Sequence, residues 1–151
     1  MPVMRRYWAM PNKNTFQIPP IKGLIESFHI DWIDPFPDPY QRDALEYLAT
    51  FKDNSVLGVL FDPPYSPRQL KECYQNNGLC LHDTKSSVWS KWKDEIARVI
   101  VPGGICISFG WSSNGIGKAR GFEMLQAILV AHGGNHNDTI VTVECKRGTG
   151  A

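Results

Sequence analysis

The chain has 151 residues and a net charge of +1, with 42% hydrophobic and 21% charged residues. These values describe one ordinary globular domain, 1–151, long enough for a core and too short for a separate target-recognition module. They exclude a strongly basic duplex binder, so any contact with nucleic acid needs a local patch or a partner. The four cysteines, Cys73, Cys80, Cys106 and Cys145, form no Cys-x-x-Cys pair and no framework spacing, and read as reduced thiols of a cytoplasmic protein. No apolar run approaches membrane-spanning length, and no apolar segment follows Arg5 and Arg6, so neither anchor nor signal is expected.

Residues 1–20 are polar and punctuated by prolines, with Trp8, Met10, Phe16 and Ile18 as apolar anchors, and read as an extended arm. Ile21, Leu24, Ile25 and Phe28 have helical spacing. Ile30 to Asp34 reads as a strand, and Asp34-Pro35-Phe36 leaves its carboxyl end. The stretch from there to Asp43 holds Pro35, Pro37 and Pro39 and no glycine. Ala44, Leu45, Leu48 and Phe51 give one apolar helical face behind Asp43, an acid placed to favour a helix amino terminus.

Val56 to Phe61 is a short, β-branched-rich apolar run, the mark of a buried parallel strand. It stops at Asp62-Pro63-Pro64-Tyr65, where two prolines remove two backbone donors. Ser66 and Pro67 suit a helix start, with Leu70, Cys73 and Tyr74 as its stripe and Gly78 as its stop. Residues 79–87 read as a polar loop. Val88, Trp92, Ile96 and Ile100, with Trp89 and Val99, form a broad apolar face on a helix ended by Pro102-Gly103-Gly104, which makes the tryptophans core residues. A second buried strand, Gly104 to Phe109, leads into Gly110-Trp-Ser-Ser-Asn-Gly-Ile-Gly117, a loop without the lysine of a phosphate-binding P-loop. Phe122 to Ala131 and Thr139 to Cys145 are the last strands. Between them, His132 and His136 have metal-like spacing, but glycines and the lack of a further ligand favour a turn over zinc.

In an open α/β sheet, ligands bind beyond the carboxyl ends of the strands. Asp62, a stiff Pro63-Pro64 corner and the Tyr65 ring therefore fall where chemistry is done. The set suits methyl transfer to a planar exocyclic amine, a poor nucleophile because its lone pair is delocalised into the ring. A carboxylate that accepts the amine hydrogens localises that pair, and an aromatic ring stacks on the base once it is turned out of its helix.

Asp62-Pro63-Pro64-Tyr65 resembles the catalytic tetrapeptide of the amino-methyltransferases, in the form typical of adenine-N6 DNA methyltransferases. With Trp8 to Phe16, Ser66-Pro67-Arg68, Phe109-Gly110-Trp111 and His132 to Asp138, the chain resembles phage- and prophage-type DNA methylases over nearly its whole length. The resemblance implies a Rossmann-like, mostly parallel α/β sheet with a reversed last strand. It implies S-adenosyl-L-methionine as donor, no metal, and a flipped DNA adenine as substrate; cytosine N4 or RNA adenine would use almost the same tetrapeptide. Its catalytic residues would be Asp62, Pro63, Pro64 and Tyr65. Donor contacts would come from Asp34, Pro35, Phe36, Asp43 and Asp62, with Met10, Asn12 and Phe16 closing above. Tyr65, Arg68, Phe109 and Trp111 would meet the base. Association as a homodimer or with a separate recognition subunit is left open.

The chain departs from this pattern at one point. Only eight residues separate Asp34 from Asp43, where an open nucleotide-binding sheet places a second strand and an acid for the ribose hydroxyls. Asp38 stands too close to Asp34 to fill that place. A shortened donor site is expected, and with it a competing reading as a degenerate domain that binds nucleic acid or a partner.

Overall fold

A computed structural model describes residues 2–12, 14–36, 43–63, 87–110, 114–133 and 138–148. Six strands make one sheet: β1 (Val3–Trp8), β2 (Trp32–Ile33), β3 (Val56–Phe61), β4 (Ile100–Gly110), β5 (Phe122–Ala131) and β6 (Thr139–Lys146). Their order across it is β1-β5-β6-β4-β3-β2. The pairs β1/β5, β2/β3 and β3/β4 are parallel, and β6 runs antiparallel to both β4 and β5. The mostly parallel sheet with a reversed last strand is the expected one.

Helices cover both faces. On one face α2 (Ala44–Ala49) and α3 (Ser87–Val99) pack on the sheet, and Val88, Trp92, Ile96 and Val99 of α3 lie within the core. The helical spacing of those four residues puts them on one stripe, and Trp92 is sealed at 1% exposure. On the other face Ile21 of α1 (Pro19–Glu26) joins Leu60, Ile107, Ile128, Val130, Val141 and Val143. Buried on both faces from Gly58 to Phe61, β3 carries the continuous apolar run that parallel strands need. Its one small residue has a packing cause: a Cβ at Gly58 would meet the Trp32 ring at 2.6 Å.

Two boundaries differ from the expectation. The arm is a strand over Val3–Trp8, although all six residues are exposed. Its pairing rests on the free edge of β5, with Val3 opposite Gln126 and Trp8 opposite Ala131. Strand β4 begins at Ile100, ahead of Pro102-Gly103-Gly104. Val56 faces Ile100 while Gly58 faces Ile105, so the intervening residues bulge from the ladder, with Gly103 at φ +85°. Lys146 closes the base of α3: its Nζ donates to the Ala97 and Ile100 carbonyls, each at 2.7 Å, and to Asn54 Oδ1 at 2.8 Å.

Candidate active site

Ile33 of β2 lies opposite Val59 of β3, and Phe61 lies opposite Ser108 of β4. Three neighbouring parallel strands thus deliver their carboxyl ends to one side of the sheet. Asp34 follows β2 directly and Asp62 follows β3 directly. Asp34 Oδ1 accepts the Phe36 N–H at 3.0 Å, a short turn that fixes this carboxylate at the strand end. Asp62 is half-buried, ahead of the buried Pro63. Burial raises its pKa to about 7; the nearby Thr15 side chain works against this, and the Asp34 charge adds to the rise. A carboxyl group poised near neutrality at a strand end is suited to taking or sharing a proton at physiological pH.

The arm reaches this end of the sheet. Phe16 packs its ring against Phe109, with centroids 5.2 Å apart at 57°. Asn12 Oδ1 accepts the Asn14 N–H at 2.9 Å, and Asn14 Oδ1 accepts that of Phe16 at 3.1 Å, winding a short 3-10 turn over Thr15–Gln17. Met10 is 75% exposed. Phe36 turns its ring into the core, 4.6 Å from Trp92 and 6.1 Å from Phe61, and so presents backbone rather than ring at the site. Asp43 caps α2, accepting the Glu46 N–H at 3.1 Å, which is the helix-terminus role weighed for it. Asp38, Pro64, Tyr65, Arg68, Trp111 and His136 lie outside the described residues, as do the predicted helix after Tyr65 and the loop that follows it.

Neither Thr15 nor Glu144 stands out in the sequence. Thr15 had no signal of its own in a polar arm. Glu144 alternates with Val141 and Val143, as a solvent-facing residue of a half-exposed strand would, yet it is 2% exposed. Its carboxylate accepts the N–H of Ile116 at 2.7 Å and that of Gly117 at 2.9 Å. Burial raises its pKa, while those two donors and the nearby Lys93 charge hold it down. The glycine-rich loop therefore has two backbone donors committed to a carboxylate of its own chain, which removes them from any phosphate cradle. His132 is likewise occupied: Nδ1 meets the Ala9 carbonyl and Nε2 the Thr139 hydroxyl, both at 2.9 Å. Among the described residues no group of acids, cysteines and histidines could hold a metal ion.

A cleft of about 600 Å³ opens at the far end of the strands, where β5 begins and β6 finishes. Among its walls, Glu144 is committed to the loop and Arg147 faces Glu123 at 4.0 Å. It lies away from Asp34 and Asp62. No helix among the described residues is long and apolar enough to cross a membrane.

No protein-family model and no curated protein matches the chain. Solved structures do. The 1,6-didemethyltoxoflavin-N1-methyltransferase of Burkholderia thailandensis, bound to 1,6-didemethyltoxoflavin and S-adenosylhomocysteine, aligns with 97% of this chain and 72% of its own, at 11% identity and a TM-score of 0.50. The two share a Rossmann-like α/β fold. TTHA0409 of Thermus thermophilus, a provisional DNA modification methylase, aligns at 21% identity and TM-score 0.47 over 71% of this chain and 52% of that one. Its complex with S-adenosyl-L-methionine aligns at 19% identity and TM-score 0.46. The chain spans about half the length of TTHA0409. At these identities the likeness concerns the fold alone.

Proposed function

We propose that this chain is an S-adenosylmethionine-dependent methyltransferase acting on an exocyclic amine of DNA, with adenine N6 as the acceptor. The observation that carries the proposal is Asp62, the first residue of Asp62-Pro63-Pro64-Tyr65, standing at the carboxyl end of β3 with its pKa raised to about 7. In this reading Asp62 accepts the amine hydrogens and localises the nitrogen lone pair, and the stiff Pro63-Pro64 corner holds the backbone still. Tyr65 stacks on the base. Tyr65→Ala is expected to lose roughly 5- to 150-fold more activity than Tyr65→Phe, since stacking is worth about 1–3 kcal/mol per base. Equal losses in the two variants, read by methyl incorporation, would assign the effect to the hydroxyl and end the stacking argument.

The residues present fit the methionine end of the donor. Asp34 and Asp62 bring two carboxylates to neighbouring strand ends, and their mutual repulsion favours a cationic ligand between or beside them. S-adenosylmethionine, when bound, supplies a methyl group already activated on a sulfonium. Asp34 and the Phe36 backbone would hold its amino-acid portion, Asp43 would lie toward its adenine, and Phe16 would close above. The chain's remaining task is positioning and exclusion of water. No strand lies beyond β2 among the described residues, so none of those residues offers a second strand-end acid for the ribose. Hydrogen bonds to a charged group are worth about 1.5–3 kcal/mol each, and their loss predicts a donor Kd raised roughly 10- to 100-fold or more.

Calorimetry with S-adenosylmethionine tests both halves of the reading. Measurable but weakened binding, followed by methyl transfer to DNA, supports it. Low-micromolar binding would mean that the ribose has another partner, with Asp38 the residue to mutate next. A protein that melts cooperatively and binds nothing at millimolar donor is instead the degenerate domain, a reading favoured by the same shortened Asp34–Asp43 segment.

A further inference from the structure

The first strand is the part of the sheet least explained by packing. Every residue of β1 is exposed, yet the strand carries Met4, Tyr7 and Trp8. Edge strands are usually blunted by charge, which accounts for Arg5 and Arg6 and leaves the large rings unexplained. Neither arginine makes an ion pair among the described residues. Trp8 is mounted rather than buried. Its six-membered ring sits against the bare Cα of Gly133, where φ is +70° and an added Cβ would run into Cη2 and stand 2.8 Å from Cζ3. One residue on, Ala9 fixes the backbone: its N–H donates to the Ala131 carbonyl at 3.0 Å, and its carbonyl meets His132 Nδ1 at 2.9 Å. The ring is thus held in place while Trp8 stays 70% exposed.

We infer that β1 binds single-stranded nucleic acid, with Arg5 and Arg6 on its phosphates and Tyr7 and Trp8 stacked on unpaired bases. The inference rests on the proposed function only for its class of substrate, a nucleic acid. An exposed aromatic ring stacks on a base of any sequence, but only on one whose own face is free, as in an unpaired strand. With a net charge of +1, attraction to phosphate has to come from a local cluster, and Arg5-Arg6 is one. A second copy of the chain is the poorer occupant, because antiparallel pairing of two β1 strands would set arginine against arginine. The surface is continuous with the end of the sheet where Asp34 and Asp62 stand. Strand β1 is parallel to β5, β5 antiparallel to β6 and β6 antiparallel to β4, so Trp8 emerges on that same side. Strand β3 lies four steps away in the sheet. That is roughly 19 Å at about 4.8 Å a step, a span that a few nucleotides bridge.

The test follows fluorescence anisotropy of a labelled oligonucleotide of about 12 nucleotides with the full chain, as single strand and as duplex, across a range of salt. The wild type is expected to hold the single strand at least about fivefold more tightly than the duplex, the low end for one stacked base. Trp8→Ala should weaken single-strand binding by roughly 5- to 150-fold, and Trp8→Phe, which keeps a ring, by much less. Arg5→Ser combined with Arg6→Ser should flatten the slope of log affinity on log salt by about 1.4, the counterions of two phosphates. Circular dichroism should show the wild-type fold in each variant, and donor Kd should change less than about threefold. Variants that bind as wild type does, with its salt slope, or a wild type that prefers the duplex, overturn the inference and leave the catalytic reading standing. If the wild type holds no oligonucleotide and sediments as a dimer that Trp8→Asp dissolves, β1 is a protein interface and the inference is wrong. Single-strand binding that depends on Arg5, Arg6 and Trp8, in a protein that transfers no methyl group, upholds the inference and counts against the catalytic reading.

Discussion

Asp62→Asn is expected to abolish methyl transfer and, at neutral and alkaline pH, to make the protein more stable. The two effects share one cause. Burial holds the Asp62 pKa near 7, against 3.8 for the same group in an unfolded chain. Between those values the folded protein binds the extra proton, so stability falls as pH rises through the window, and the penalty is fully present above about pH 7. Each pH unit is worth about 1.4 kcal/mol, which caps the penalty at about 4 kcal/mol. Because Asp62 keeps some exposure, the gain from asparagine should be nearer about 2 kcal/mol at roughly pH 8, and near zero at about pH 4. Activity should drop by about 10²–10⁴-fold, the usual worth of a positioned acid or base, while the wild-type rate climbs with pH through 7. Urea melts at the two pH values, paired with methyl-incorporation rates, decide the matter. A variant with the same stability difference at both pH values, or with turnover within about tenfold of wild type, would leave Asp62 without this role.

Gly115→Ala should cost more stability than any ordinary surface change. Gly115 has φ +56°, and a Cβ there would stand 2.6 Å from the Glu144 carboxyl carbon. Alanine adds about 1–2 kcal/mol for the left-handed backbone. It also drives Glu144 off the Ile116 and Gly117 N–H groups, and each orphaned buried donor costs about 1–3 kcal/mol. A total of about 3–8 kcal/mol is a large part of a typical domain's roughly 5–15. Gly23→Ala is the control: it lies within α1 with nothing inside 4 Å of its Cβ, and it should gain about 0.5–1 kcal/mol. Denaturant melts that place the two variants within about 1 kcal/mol of each other would mean that Glu144 does not clamp the loop as the structure shows.

The parts of the fold legible in the sequence are those where one physical signal dominates. Val56–Phe61 announces itself because all its residues but Leu57 are buried, and α3 because its apolar residues recur at helical spacing. Asp62 could be placed from the end of that strand alone. The rest depends on neighbours far along the chain. Val3–Trp8 has no buried face to pattern its sequence and is a strand only because β5 offers an edge. Glu144 carries the alternation of an exposed residue, and nothing local says that Ile116 and Gly117 will fold back over it. Asp43 could serve a ligand or a helix end on sequence alone, and its bond to Glu46 shows the second role. Phe16 gains its place only when the arm brings its ring against Phe109 of β4.

The pairing of β1 with β5 also sets an order of events. Val3 to Trp8 find their partners at Gln126 to Ala131, so a nascent chain cannot seat its first strand until residue 131 has left the ribosome. Strand β3 and Asp62 are made long before that, and they wait uncapped. Such long-range closure must overcome loop entropy before any contact rewards it. Phe16 reaches Phe109 from a segment held by this last pairing, so the carboxyl end of the sheet is finished late. A chain stalled before β5 would carry Met4, Trp8 and Met10 with no strand beside them, a sticky stretch of the kind chaperones recognise.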